Sequence, residues 1–408
     1  MEKLALETVL EISAHLDRSS VKDFRLTCRR IATITAESLN IEVRVDAQQN
    51  DVAEISKFPA LFKAVCSLAY IVPDLNPKCE SYEVWQSMID GDFPDNYDLH
   101  VEHERFTQLL RNQRAFRENS QDVQMMCHAF KRFPNLKTLK ISSDAESYPE
   151  LGIAIGFPDF PWRFPYGAFV NNNEPWRPLE ALYQGTAKAQ KALSSTEHVP
   201  AKLKSLQIRL NVNSLAYNIL KPNSCIEKIV EIRITLHKDF NSHFVSEQFA
   251  KNLGSFLKRL PLLQMIDLHC KVEDSSLNHI PLPYVLPGER AWPNLKAIAL
   301  DGFSAPEEYL SRFFSSHSSI TRIQLMSFYL DGSWVSFLSK LRKLLDLEVA
   351  AFGRVLFDLD GGEQRKIECI PHGKLAKQIQ EWIEKCIECC PFKRDYISRL
   401  TPDENGWL

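Results

Sequence analysis

The chain has 408 residues, of which 44% are hydrophobic and 25% charged, as in an ordinary soluble globular protein. The formal net charge of −3 gives no electrostatic reason to expect nucleic acid or an anionic membrane as the main partner. No apolar run approaches the roughly 20 residues that span a bilayer, and acidic residues interrupt the apolar start, which makes it a poor signal peptide.

Residues 4–34 predict three short helices. Apolar residues at positions 6, 9, 10 and 16 form a helical stripe, and Ser20 with Asp23 three positions later is typical of a helix start. Helices this short cannot enclose a full core, so the unit is expected to dock its remaining apolar side on another surface. From the pattern alone it is an N-terminal helical cap on a larger domain.

The same residues resemble the F-box motif. Its opening Leu-Pro-x-Glu-x-Leu is matched by Leu4, Glu7, Val9 and Leu10, its middle by Leu16-Asp17, and its Leu-x-x-Cys-Arg element by Leu26-Thr27-Cys28-Arg29. Ala5 stands where the family usually has proline. The resemblance implies that residues 1–40 bind the Skp adaptor of a cullin–RING ubiquitin ligase. The residues expected to form the small core of this head and its adaptor surface are Leu4, Leu6, Val9, Leu10, Leu16, Val21, Phe24, Leu26 and Ile31.

Residues 41–390 repeat the pattern apolar-x-x-apolar-x-apolar, which is typical of a half-buried strand. Eight copies begin at residues 65, 136, 203, 229, 263, 295, 320 and 344. Three share a lead-in with proline: Phe133-Pro134-Asn135, Leu260-Pro261-Leu262 and Trp292-Pro293-Asn294. Amphipathic helical segments are predicted at 123–130, 178–193, 245–257, 306–314 and 334–341. This alternation predicts parallel strands with helices outside them.

The last copies are spaced close to the leucine-rich-repeat period of roughly 20–29 residues. The expected fold is therefore α/β, with a three-helix F-box followed by an irregular leucine-rich-repeat solenoid whose parallel strands line the concave side. A strand at 366–370 should be followed by a capping helix near 374–388 that closes the array, and residues 391–408 should form a tail. The whole chain resembles a divergent, fungal-type F-box/leucine-rich-repeat protein, although the usual asparagine ladder is absent.

Two stretches interrupt the repeat, near 73–121 and 142–173, and are either functional or packed as covers. The second is rich in aromatic residues. It is either a loop packed over the repeat edge or a recognition loop that anchors a partner. The candidate recognition residues are Phe157, Phe160, Trp162, Phe164 and Tyr166.

Side chains alternate along a strand, so the residues between the apolar positions should face the concave surface. That surface is mildly basic in the early repeats and mildly acidic in the later ones. It is either an ordinary solvated face or a substrate face for a ligand with acidic groups early and basic groups late. The candidate residues are Lys140, Arg209, Glu231, Arg233, Asp267, Asp301, Arg322, Asp346 and Glu348.

No motif for catalysis or for binding a phosphate group stands out. Cys386, Cys389 and Cys390 lack the second pair of ligands that structural zinc needs, and residues 358–362 predict a turn. The ten cysteines are scattered, which favours a reducing compartment, cytoplasmic or nuclear. We therefore expect no cofactor, no metal and no activity as an enzyme.

The expected function is that of a substrate-recognition subunit of an SCF-type ubiquitin ligase, with an unidentified protein as substrate. One alternative is a repeat scaffold without a ligase link, in which the N-terminal helices only cap the solenoid. A second alternative, an enzyme with a site formed across distant repeats, has no motif in its favour.

Overall fold

The computed structural model describes residues 41–45, 59–71, 77–87, 98–142, 203–211, 227–237, 247–271, 279–286, 292–360, 363–369 and 397–399, together with the single residues 12, 52, 55, 57, 75, 184, 185, 188, 189, 381 and 382. The predicted head at 1–40, the aromatic recognition residues and most of the predicted capping helix lie outside this part of the chain. The chain divides into two compact units, residues 1–210 and 211–408.

The first unit contains four parallel strands in chain order: β1 (Ile41–Val45), β2 (Val65–Ile71), β3 (Thr138–Ser142) and β4 (Ser205–Asn211). Its helices are α1 (Tyr82–Ser87), α2 (Leu99–Glu118) and α3 (Gln121–Arg132), and 3-10 turns cover Pro59–Ala64 and Pro77–Glu80. The fully buried Asp122 of α3 accepts a hydrogen bond from the fully buried Tyr70 hydroxyl of β2, at 3.2 Å, and so fastens the helix to the sheet.

The second unit contains the parallel strands β5 (Glu231–His237), β6 (Met265–Lys271), β8 (Ala297–Asp301), β10 (Arg322–Asp331) and β11 (Val349–Asp360), which neighbour one another in that order. Two short strands, β7 (Ile280–Pro281) and β9 (Phe303–Pro306), extend the ladder beside β10. The last two strands, β12 (Glu363–Cys369) and β13 (Ile397–Arg399), are antiparallel. The helices are α4 (Glu247–Lys258), α5 (Leu282–Val285), α6 (Glu307–Ser316) and α7 (Trp334–Leu344).

The chain is therefore an α/β protein with parallel strands, as predicted, and helices α3, α4, α6 and α7 lie where the amphipathic segments predicted them. The described residues show neither a three-helix F-box nor a leucine-rich-repeat solenoid. The strand predicted at 366–370 is part of β12, and three residues of the predicted tail form β13.

One turn recurs ahead of the strands. The backbone N–H of Leu136 donates to the carbonyl of Phe133, three residues earlier, and Leu263, Leu295 and Ile320 donate in the same way to Leu260, Trp292 and His317. The first residue of each turn is at most 1% exposed. In two of these turns proline follows a buried aromatic residue, Phe133 or Trp292. In the copy without proline, His317 stands at the position of the aromatic residue. A short structural unit, turn followed by strand, thus repeats along the chain.

The eighth copy of the strand pattern is in a different register from the one predicted. Arg322 of β10 pairs with Val349 of β11, which aligns Leu347, Ala350 and Phe352 with the inward positions. Leu347, Ala350 and Phe352 are 7% exposed or less, whereas the predicted Leu344 and Val349 are 40% and 42% exposed. The prediction was wrong because Leu344 ends α7 and because alanine is a weak hydrophobic signal.

The stretch near 73–121 has a small core of its own. Leu75, Cys79 and Trp85 pack against Phe106 and Leu110 of α2. Asp98 caps α2, because its side chain accepts hydrogen bonds from the backbone N–H groups of His100 and Val101, at 2.9 and 3.2 Å. Burial raises the pKa of the Cys79 thiol to about 11. The described residues of the stretch near 73–121 therefore pack as a helical region with its own core rather than as an open loop.

Candidate functional site

The parallel strands have one buried and one polar side, because their side chains alternate. The 21 apolar residues of the first seven predicted copies, such as Leu139 and Ile141, are all 5% exposed or less. The opposite side of the second unit carries charged and small side chains from β5, β6, β8 and β10. We call this side of the second unit the polar face, and it is the candidate site.

A continuous charged row crosses three neighbouring strands on the polar face. The register pairs Arg233 of β5 with Asp267 of β6, and His269 of β6 with Asp301 of β8. Arg233 Nε lies 2.5 Å from Asp267 Oδ2, and His269 Nε2 lies 2.5 Å from Asp267 Oδ1. His269 Nδ1 lies 3.4 Å from Asp301 Oδ2. Each carboxylate in this row therefore faces at least one cationic group.

The two signs of charge differ in their depth. The side chains of Arg233 and His269 are 49% and 26% exposed, but those of Asp267 and Asp301 are only 8% and 4% exposed. The expectation that Asp267 and Asp301 make this part of the face acidic is therefore wrong. Water and any partner meet the cations first, because each carboxylate lies beneath the positive group that it contacts.

The pKa values of the row follow from these contacts. Hydrogen bonds to Asp267 and Asp301 raise the pKa of His269 to about 9, although burial acts in the opposite direction. Burial acts to raise the pKa of Asp267, but hydrogen bonding and charge from His269 and Arg233 outweigh it, so this pKa is lowered. At neutral pH His269 is therefore protonated and Asp267 ionised.

A second histidine lies next to this row. Burial lowers the pKa of His279, whose ring also interacts with the backbone of Ser327 and with the charge of Asp301. Ser327 has a φ of +42° and lies where the register of β10 shifts between Met326 and Phe328. The bulge in β10 thus brings the backbone of Ser327 to the ring of His279.

Small side chains lie between the charged residues. Ala297 and Ala299 of β8 are on the polar face, and both are partly exposed. The register places Ala297 between Met265 and Arg322, and it places Ala299 between Asp267 and Gln324. The two alanines form a shallow floor between the arginine of β5 and the arginine of β10.

The remaining predicted substrate-face residues occupy varied positions. In the first unit Lys140 contacts Glu42 at 2.6 Å, and Arg209 is in register with Ser142. Glu231 is exposed at the start of β5. Asp346 and Glu348 precede β11 instead of lying within it, a consequence of the corrected register, and Glu348 Oε2 lies 3.5 Å from Arg322 Nε.

The sequence reasoning missed His269 and His279. His269 could have been found, because it is two residues after Asp267 and so must share its side of the strand. His279 had no such signal, since a bulge and a short strand bring it to the site. Within the described ranges, no group of three or more His, Cys, Asp or Glu side chains is arranged to hold a metal ion.

The polar face offers exposed charged groups that can bind a partner. Both ring nitrogens of His269 are engaged by carboxylates, and the exposed groups include Arg233, Arg322, Glu231 and Glu348. The fold and this face define an α/β protein with an open, charged sheet surface.

A comparison with protein-family models finds no family that matches the chain, and a search of curated proteins finds no matching relative. No helix in the described part of the chain is long and apolar enough to cross a membrane.

Proposed function

We propose that this chain is the substrate-recognition subunit of an SCF-type ubiquitin ligase. Residues 1–40 bind the Skp adaptor, and through it the cullin–RING ligase, while the strands that follow hold a target protein. The observation that supports the proposal is the polar face of the second unit, an ordered row of charged side chains, in a chain whose first residues resemble the F-box motif in sequence. In this role the chain brings a target close to a separate enzyme, which carries out the chemistry.

We infer that the repeated turn–strand units are degenerate leucine-rich repeats. In support, side chains near the lead-in turns link successive turn–strand repeats in place of an asparagine ladder. Asn135 Nδ2 donates to the carbonyl of Lys63 at 2.8 Å, Trp292 Nε1 to Leu257 at 3.2 Å and Ser319 Oγ to Leu295 at 2.8 Å. Such links between neighbouring units suit an array in which each unit contacts mainly its neighbours.

The proposed compartment is the cytoplasm, the nucleus or both. Four of the cysteines, Cys66, Cys79, Cys127 and Cys270, are thiols outside any disulfide. Thiols persist in a reducing environment, which is where a ubiquitin ligase of this type works.

Adaptor binding tests the proposal. Purified Skp adaptor should capture the wild-type chain and should lose a variant with Leu10→Glu and Leu16→Glu, because charged side chains cannot be buried in an apolar interface. Leu262→Glu is the matched control, since Leu262 is 44% exposed in a lead-in turn, and this variant should still be captured.

If the adaptor does not capture the wild-type chain, the ligase role fails and the scaffold alternative, favoured by Ala5 in place of proline, replaces it. Equal capture of the doubly charged variant would also refute the assignment of residues 1–40.

A further inference from the structure

The depth of the charges on the polar face is unusual for surface ion pairs. In an ordinary surface pair both side chains are solvated, and the pair contributes little. Here Asp267 is buried beneath Arg233, and burying a carboxylate costs free energy unless it is well paired. Asp267 is held in turn by His269, and His269 by Asp301. The network therefore fixes the orientation of an exposed guanidinium group from below.

Arg233 has donors left for a partner. A guanidinium group carries five N–H donors, and the contact of Arg233 with the other described residues is made through Nε alone. Its two terminal nitrogens have no partner among the described residues, and their geometry matches the two oxygens of a carboxylate. An arginine held by its Nε and open at its outer edge is organised in advance to bind an acid.

A second arginine lies on the same face. The side chain of Arg322 is 64% exposed, and its Nε lies 3.5 Å from the exposed Glu348. Arg322 is three strands from Arg233 and two residues nearer the start of its strand, by the register of β5, β6, β8 and β10. The strand spacing and rise put the two Cα atoms about 16 Å apart.

The floor between the two arginines is made of small side chains. Ala297 and Ala299 of β8 leave room for a chain to approach, with Met265 at one side. In an extended peptide, side chains four positions apart point the same way and are about 13 Å apart. Two acids at this spacing can reach both arginine side chains, and the residue midway between them then lies over the alanines.

We propose that the polar face binds an extended, acidic segment of a partner protein, with one carboxylate on Arg233, a small apolar side chain over Ala297 and Ala299, and a second carboxylate on Arg322. This inference rests on the proposed function, because it states the chemistry of the target held by the same face. An acidic segment fits better than a basic one, because a basic segment would meet the two exposed guanidinium groups and find Asp267 and Asp301 buried, with Glu231 and Glu348 as the exposed carboxylates nearby.

Binding of a short peptide to the 408-residue chain tests this inference. The probe is a fluorescein-labelled peptide of sequence Asp-Thr-Val-Thr-Asp, and its partner control has lysine at both ends. Fluorescence anisotropy should show that the wild-type chain binds the acidic peptide more tightly than the basic one. Arg233→Gln and Arg322→Gln should each weaken binding of the acidic peptide about tenfold, the size expected for loss of one charge-assisted pair.

Arg312→Gln is the matched control, because Arg312 is an exposed arginine on helix α6 and should not affect binding. Thermal melting of each variant checks that the fold is intact. No binding of the acidic peptide to the wild-type chain, equal binding of both peptides, or equal losses with Arg312→Gln and Arg233→Gln would each overturn the inference. Capture by the adaptor depends on residues 1–40, so a chain that binds the adaptor and not the peptide refutes only the inference made here.

Discussion

Replacing His269 by glutamine should destabilise the fold at pH 6 and have much less effect at pH 9.5. The folded pKa of His269 is about 9, above the ordinary value of 6.5, because Asp267 and Asp301 stabilise the imidazolium. A raised folded pKa contributes stability that is complete below about pH 6.5 and is lost as the pH rises toward 9. The difference between the two pKa values corresponds to about 3 kcal/mol of free energy of unfolding.

The assay is urea unfolding followed by tryptophan fluorescence between pH 5.5 and 9.5, with the buried Trp292 and Trp334 reporting on the second unit. The quantity of interest is the free energy of unfolding of the wild type minus that of His269→Gln. It should fall from about 3 kcal/mol to below about 1 kcal/mol across this range.

His128→Gln is the control, because His128 is an exposed histidine on α3 with no part in the charged row. A difference for His269→Gln that does not change with pH would refute the reasoning, since it would mean that the imidazolium is not what holds the buried carboxylates. An NMR titration giving His269 an ordinary pKa would refute it independently.

Two further predictions concern the frame of the second unit. Leu347→Ala should cost about 2–4 kcal/mol in urea unfolding, because Leu347 is buried, whereas Leu344→Ala should cost less than about 1 kcal/mol; similar costs for the two variants would mean that β11 has the register first predicted, which buries both leucines. Glu307→Gln should cost about 2 kcal/mol at pH 7, because the Glu307 carboxylate accepts hydrogen bonds from Ser333, Ser336 and Lys340 at the start of α7. Burial opposes the charged form of Glu307, but these bonds outweigh it and lower its pKa, so the cost should shrink as the pH falls below 4; an unchanged cost at pH 3 would contradict this.

The spacing of apolar residues was enough to predict the parallel strands. In each of the first seven copies the three apolar positions point to one side, and burial of that side fixes the register. The eighth copy failed because Leu344 belongs to the helix before it and Ala350 carries little hydrophobic signal. A pattern of apolar residues cannot tell the end of a helix from the start of a strand when both are apolar.

The direction of the last strands could not be predicted in the same way. Alternation predicts a strand near residues 366–370, but it is the same for parallel and antiparallel pairing. Only two residues separate β11 from β12, too few for the crossover that a parallel neighbour needs. The short connection between the strands was therefore the available signal, and it was read only as a turn.

The sequence predicted which charged residues lie on the polar face, but it did not predict how exposed each of them is. Alternation placed Arg233, Asp267 and Asp301 on the side opposite the core, where the structure has them. Their exposure depends on neighbours from other strands, which a single strand does not reveal. His269, two residues after Asp267, converts an expected acidic surface into one that presents cations.

Stability and binding on this face are coupled through one side chain, and the two can be separated by experiment. Arg233 is half exposed and Asp267 keeps its contact with His269, so Arg233→Gln should weaken binding of the acidic peptide and should cost less free energy of unfolding than His269→Gln. Both ring nitrogens of His269 lie against buried carboxylates and face away from a peptide, so His269→Gln should lower stability first. It should affect peptide binding only by releasing Asp267, the group that orients Arg233. A variant at His269 that loses stability and keeps full peptide affinity would show that His269 is not needed to orient the guanidinium group of Arg233. The buried carboxylates Asp267 and Asp301 would then contribute to stability and not to peptide binding.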